Sequence, residues 1–153
     1  MNWELIFTIA NNYALVMWLI LAFAPRREMV LKTIFYGGVG LLALTYAVII
    51  VPLMTGLIEG GGNSGSQDYT TLTGVQALLS SDGGATIGWV HYLAFDLFVG
   101  IWVASNADRH GIHRIIQIPF LFLTLMLGPF GLILYLLFRF FRTAKPENAI
   151  YPG

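Results

Sequence analysis

The 153-residue sequence contains no cysteine and little charge, with charged residues making up 10% of the chain. The missing cysteines exclude disulfide scaffolds, thiolate metal sites and cysteine nucleophiles. The scarcity of charge excludes more. Soluble domains carry about 25% charged and about 45–50% apolar residues, whereas 57% of this chain is hydrophobic. So few charges cannot build a water-facing surface, which removes soluble enzymes from consideration. A basic excess is also missing: eight Lys+Arg balance eight Asp+Glu, so no nucleic-acid partner is expected. Phosphate-cradling loops, nucleophile elbows and zincin helices are likewise absent.

What the chain does have is long apolar runs. A bilayer core of roughly 30 Å is crossed by about 20 apolar residues in a helix. Four runs meet that length: about 5–24, about 33–57 with Pro52 near its far end, about 85–105, and about 115–138. The last is interrupted by Pro119 and by Gly128-Pro129-Phe130-Gly131. The expected fold is therefore an all-α integral membrane protein, a single four-transmembrane-helix bundle over residues 1–153. Its last span would be kinked or re-entrant at Gly128–Gly131. Ala22-Phe23-Ala24 imitates a signal-peptide cleavage site, but the basic residues follow the first run instead of preceding it. That order favours a retained span.

The few charges set an orientation. Arg26, Arg27 and Lys32 join the first two runs, and Asp108, Arg109, His110, His113 and Arg114 join the last two. The connection at 59–84 has no Lys or Arg and carries Glu59, Asp68 and Asp82. By the positive-inside rule the first and third connections are cytoplasmic, 59–84 is an extracytoplasmic loop and the N-terminus lies outside. Arg139, Arg142 and Lys145 in the tail conflict with four crossings, which would put them outside as well. A re-entrant hairpin at Gly128–Gly131 would instead bring all eight basic residues to one side. The length of the fourth run, roughly 24 residues, favours a kinked full crossing over the hairpin. Within the extracytoplasmic loop, Gly60-Gly61-Gly62-Asn63-Ser64-Gly65-Ser66 is flexible by composition. Leu72, Val75 and Leu78 then recur at helical spacing behind Thr70 and Thr71, which can cap. A short interfacial helix near 71–81 or a partly ordered loop are the two readings.

Asp96 is the one acid near the middle of a run, where a charged carboxylate costs about 2.5–3.5 kcal/mol. Such residues mark a site or pathway, or else bond a neighbouring helix as a neutral carboxyl. His91 lies five residues earlier, about 140° away around a regular helix, so direct contact between the two is not expected. His91 shares its stripe with Phe95, Phe98 and Trp102, and Asp96 shares its own with Trp89, Tyr92 and Gly100. Asn11 and Asn12, inside the first run, need partners. His91, Asp96, Thr45, Tyr46 or Gln117 could supply them, and a polar cluster between the first and third spans could hold an oxygen of a lipid-like ligand. Trp3, Trp18 and Tyr135 fit interfacial aromatic belts. Trp89, Tyr92, Phe95, Phe98 and Trp102 would stack on a flat conjugated ligand, or simply pack. Residues 106–114 combine an Asp and two His with two Arg, a composition that disfavours a metal and suits a headgroup-facing turn. No metal and no cofactor is expected.

The stretch Gly88-Trp89-Val90-His91-Tyr92-Leu93-Ala94-Phe95-Asp96-Leu97-Phe98-Val99-Gly100 resembles the signature of the abscisic-acid-deficient-four-like family, W-(I/V)-H-x-L-x-x-D-L-F. Leu127-Gly128-Pro129-Phe130-Gly131-Leu132 resembles that family's second block, and Leu21-Ala22-Phe23-Ala24-Pro25 closes the first span in the same way. The likeness runs in order over nearly the whole chain. The family's plant founder is required for converting violaxanthin to neoxanthin, an epoxide-opening isomerisation that yields an allene. The resemblance thus implies a membrane protein of carotenoid or isoprenoid metabolism. Epoxide opening needs an acid on the ring oxygen and a base at the neighbouring carbon. Asp96 is the candidate acid and His91 the candidate base, with Asn11, Asn12, Trp89, Tyr92 and Trp102 around the ligand. The alternative is a non-catalytic subunit that binds pigment or lipid within a larger complex. Expected partners are membrane lipids, a carotenoid or other isoprenoid, and further copies or a membrane complex. The chain begins at its first span with no transit peptide, so the bacterial inner membrane is the expected location.

Overall fold

The computed structural model describes residues 1–60 and 70–143, and it is all-helical, with no strand among them. The glycine-rich stretch from 61 to 69 and the tail from 144, Lys145 included, lie outside the described residues. The described residues form six helices in order: α1 Trp3–Phe23, α2 Glu28–Met54, α3 Leu72–Leu79, α4 Asp82–Arg109, α5 Arg114–Leu127 and α6 Pro129–Thr143. By length and apolarity α1, α2 and α4 can each cross a membrane. By internal packing the chain forms two compact units, Met1–Ile101 and Trp102–Gly153, the boundary falling within α4.

In the first unit, the Asn2 side chain caps α1 by accepting from the Leu5 amide, 3.0 Å away. At the other end the helix stops before Pro25, which forces extended backbone on Ala24. Ala10, Ala14, Trp18 and Leu21 fall on one stripe of α1 and are buried. In α2, Thr33–Val39 winds as a π-helix, one residue wider per turn than the flanking α-helix. Gly38 sits in this segment because a side chain there would press on Leu97 Cδ2 and Met17 Cγ, 3.0 and 3.2 Å from the added carbon. The Tyr13 hydroxyl donates to the Gly37 carbonyl at 2.7 Å and ties α1 to the same segment. The helix expected near 71–81 is present as α3, with the Thr71 side chain accepting from the Gly74 amide.

The fourth apolar run is where expectation and structure part. It forms two helices of 14 and 15 residues, not one span, and they run antiparallel. Phe120 and Phe138 stack with ring centroids 5.1 Å apart. In one continuous helix those residues would be separated by about 27 Å. Gly128 takes φ 48, a conformation that ends α5, and Pro129 opens α6. The full crossing favoured by run length is thereby replaced by a hairpin, each arm about 21–23 Å long and too short to span.

The hairpin closes where Gly131 meets Thr124, so tightly that a Cβ on Gly131 would lie 2.2 Å from the Thr124 amide nitrogen. Its open end is fixed to the end of α4. The fully buried Tyr135 donates to Asn106 Oδ1 at 2.6 Å, and Gln117 Nε2 donates to Asp108 Oδ1 at 2.7 Å. Arg142 reaches the Gly111 carbonyl at 3.5 Å, so the end of α6 returns to the turn that follows α4.

Candidate functional site

The seam between α1 and α4 collects most of the polar and aromatic groups that the sequence marks. Asp96 is 14 residues from one end of α4 and 13 from the other, hence about 20 Å from either. It is buried, at 8% exposure. Tyr92, one turn earlier on the same helix, lies close enough to its carboxyl to act on it electrostatically. Asp96 Oδ2 remains buried with no hydrogen-bond partner among the described residues. Trp18 of α1 packs its six-membered ring on Gly100, one turn beyond Asp96. The Trp18 indole nitrogen is also buried without a partner. A vacant acceptor on α4 and a vacant donor on α1 thus occur along one seam.

From Tyr92 an aromatic path leads outward. Trp89 stacks on Tyr92 at 5.4 Å and 23°, and Phe7 of α1 packs against Trp89 at 5.8 Å. Asn11 Oδ1 accepts from the Trp89 indole nitrogen at 3.1 Å. Beyond Trp89 the seam opens into a groove of about 730 Å³ between the starts of α1 and α4, edged by Trp3, Glu4, Phe7, Asp82, Thr86 and Trp89. The ordering follows from helix geometry: positions 82, 85, 86, 89, 92, 96 and 100 of α4 lie on one flank.

The structure therefore brings together Asn11, Trp89, Tyr92 and Asp96. The other expected site residues are elsewhere. Asn12, one residue round from Asn11, is exposed. Trp102 packs edge-on against Tyr135 at 6.1 Å in the second unit. His91 lies on the opposite flank of α4 from Asp96 and contacts Tyr46 and Phe95, with ring centroids 5.3 and 4.6 Å away. A His–Asp pair does not form. Trp3, Trp18 and Tyr135, placed by composition in interfacial belts, are all buried.

Two roles did not follow from the sequence. Trp18 carries a polar atom onto the seam, and Trp89 is the partner that Asn11 required; an indole N–H is a donor, which was the available signal. Among the described residues no group of His, Asp and Glu is placed to hold a metal. Searches of curated proteins and of solved structures return no match. The family model for ABA DEFICIENT 4-like proteins matches residues 5–135, which takes in nearly all of α1, the whole of α2, α4 and α5, and the turn of the hairpin. The chain belongs to the ABA DEFICIENT 4-like family.

Proposed function

We propose that this protein acts within a membrane on a carotenoid or related isoprenoid, with Asp96 as the acid of an epoxide-opening or isomerisation step. Family membership supports a role related to neoxanthin synthesis. The observation that carries the chemical reading is the state of Asp96. A carboxyl serving as structural glue would bond a group on a neighbouring helix. Asp96 instead has Tyr92 beside it on its own helix, and an oxygen with no hydrogen-bond partner among the described residues. A buried polar atom left unmatched costs about 1–3 kcal/mol unless a ligand satisfies it. An epoxide or hydroxyl oxygen on an apolar chain is such a ligand, and the aromatic path through Trp89 and Phe7 suits a conjugated one.

The step balances without a cofactor. The neutral carboxyl gives its proton to the epoxide oxygen as a carbon–oxygen bond breaks toward that oxygen. A proton leaves the neighbouring carbon, and its bonding electrons form the new double bond. The carboxylate, with Tyr92 beside it, is the group on this seam able to take that proton. The product is an isomer of the substrate. His91, on the other flank of α4, is given no part in this step.

The test is pigment conversion in a host that makes epoxide xanthophylls, followed by chromatography. General acid catalysis contributes about 10²–10⁴-fold, so Asp96→Asn should lower conversion at least about a hundredfold while the protein still inserts at its normal level. Wild-type conversion by Asp96→Asn would remove Asp96 from the chemistry. It would then favour the alternative of a pigment-binding subunit.

A further inference from the structure

On the other flank of α4 lies a second feature, separate from the Asp96 seam. There α2, α3 and α4 border a cavity of about 230 Å³ lined by Tyr46, Ile50, Leu53, Leu78, Ile87 and His91, together with Gly84 and Gly88. The glycines are what let α3 close it. A Cβ on Gly84 would strike the Leu78 carbonyl, and one on Gly88 would lie 3.1 Å from Leu79 Cδ2, so α3 rests directly against the α4 backbone. Leu53 and Ile87 on the cavity wall are buried. Among the described residues, the only polar side chains on the wall are the phenol of Tyr46 and the imidazole of His91, side by side at 5.3 Å. Neither is hydrogen-bonded to another described residue.

Size and chemistry together select a ligand class. An apolar cavity of about 150 Å³ holds a benzene ring. A cavity half as large again matches a six-membered ring carrying several methyl groups. Two neighbouring hydrogen-bonding groups on an otherwise hydrocarbon wall fix orientation through one oxygen on that ring. We infer that the α2–α3–α4 cavity is a binding site for the methyl-substituted cyclic end of an isoprenoid bearing a ring hydroxyl, held by His91 and Tyr46. The isoprenoid class rests on the proposed function; the ring and its oxygen rest on the cavity itself. His91 is therefore a binding residue of a second site, and a molecule seated there touches α4 about 140° away from Asp96.

Purified full-length protein in detergent tests this by calorimetric titration with β-ionone and 3-hydroxy-β-ionone, which share a trimethylcyclohexenyl ring and differ by the ring hydroxyl. Empty micelles supply the partition baseline. The hydroxylated probe should bind about tenfold tighter, the effect of one net hydrogen bond. The conservative pair Tyr46→Phe and His91→Leu should erase that preference and leave β-ionone binding in place. Filling the cavity with Ile50→Trp should abolish binding of both probes. The proposal is overturned if neither probe binds the wild-type protein. It is equally overturned if the hydroxyl preference survives in the Tyr46→Phe/His91→Leu variant, or if both probes bind Ile50→Trp as before. Binding is read without turnover, so failure here leaves the Asp96 conversion assay intact. Failure of that assay, in turn, leaves the cavity untouched.

Discussion

Replacing Gly131 by Ala isolates the contact that folds the fourth apolar run back on itself. The new Cβ would sit 2.2 Å from the Thr124 amide nitrogen, 2.5 Å from its Oγ1 and 2.6 Å from the Leu123 carbonyl carbon. Comfortable contacts lie at about 3.5–4.0 Å, so the arms must part by more than an ångström. Two of the three obstructing atoms are backbone and cannot rotate away. Overpacking a tight contact costs about 1–3 kcal/mol, and a backbone obstruction belongs at the upper end. About 3 kcal/mol multiplies the open fraction by roughly 150 and lowers the melting temperature in detergent by about 6–12 °C for a chain of this size. The native chain has no cysteine, so single thiols can be introduced without background to read topology in intact vesicles. Ile115 and Phe141, at the open end of the hairpin, are both well exposed and suit replacement. With the hairpin closed, Phe141→Cys should label from the same side as Ile115→Cys. Combining Phe141→Cys with Gly131→Ala should make that labelling mixed. Labelling of Phe141→Cys from the side opposite Ile115→Cys in the parent protein would refute the hairpin and restore a full crossing. An unchanged melting temperature for Gly131→Ala would refute the tight closure.

Gly100→Ala should cost about 1–3 kcal/mol, because its Cβ would fall 2.4 Å from Trp18 Cη2 on the buried α1–α4 seam. Trp18→Phe should recover part of that loss in a double-mutant melting experiment, and strict additivity of the two changes would show that they do not touch. Asn11→Leu should lose about 1 kcal/mol with the bond to Trp89, whereas Asn12→Leu should leave the melting temperature of the monomer unchanged. Equal losses at the two positions would contradict the orientation of α1.

How much of this was legible in the sequence depends on which atoms set each feature. The long helices follow from apolar runs and their punctuation, and α1, α2 and α4 lie within a few residues of the runs that predict them. The hairpin does not follow, because roughly 24 apolar residues read the same whether they cross or turn. Its turn depends on a positive φ at Gly128 and on the hydrogen that Gly131 offers Thr124 in place of a side chain. Periodicity carries neither. Composition likewise sends Trp3, Trp18 and Tyr135 to the interfaces, since amphipathic rings gather there on average. Helix packing overrides that average by giving Tyr135 a buried partner in Asn106. Asp96 was conspicuous as the lone mid-span charge, but its vacant oxygen is a property of its neighbours and not of its own position.

The spacing of the signature block then acquires a physical meaning. Histidine and aspartate five residues apart in one membrane helix invite an acid–base pair, yet a regular helix directs them to opposite flanks, and α4 is regular here. Each flank has its own packing partners: α1 with Trp18 and Asn11 beside the aspartate, α2 and α3 with Tyr46 and Leu78 beside the histidine. A five-residue offset is what a helix needs to serve two sites at nearly the same depth, about 7.5 Å apart along its axis. A dyad would instead need an offset of three or four. On that basis substitutions at His91 and Asp96 should be separable, His91→Leu weakening ring-hydroxyl recognition and Asp96→Asn lowering conversion.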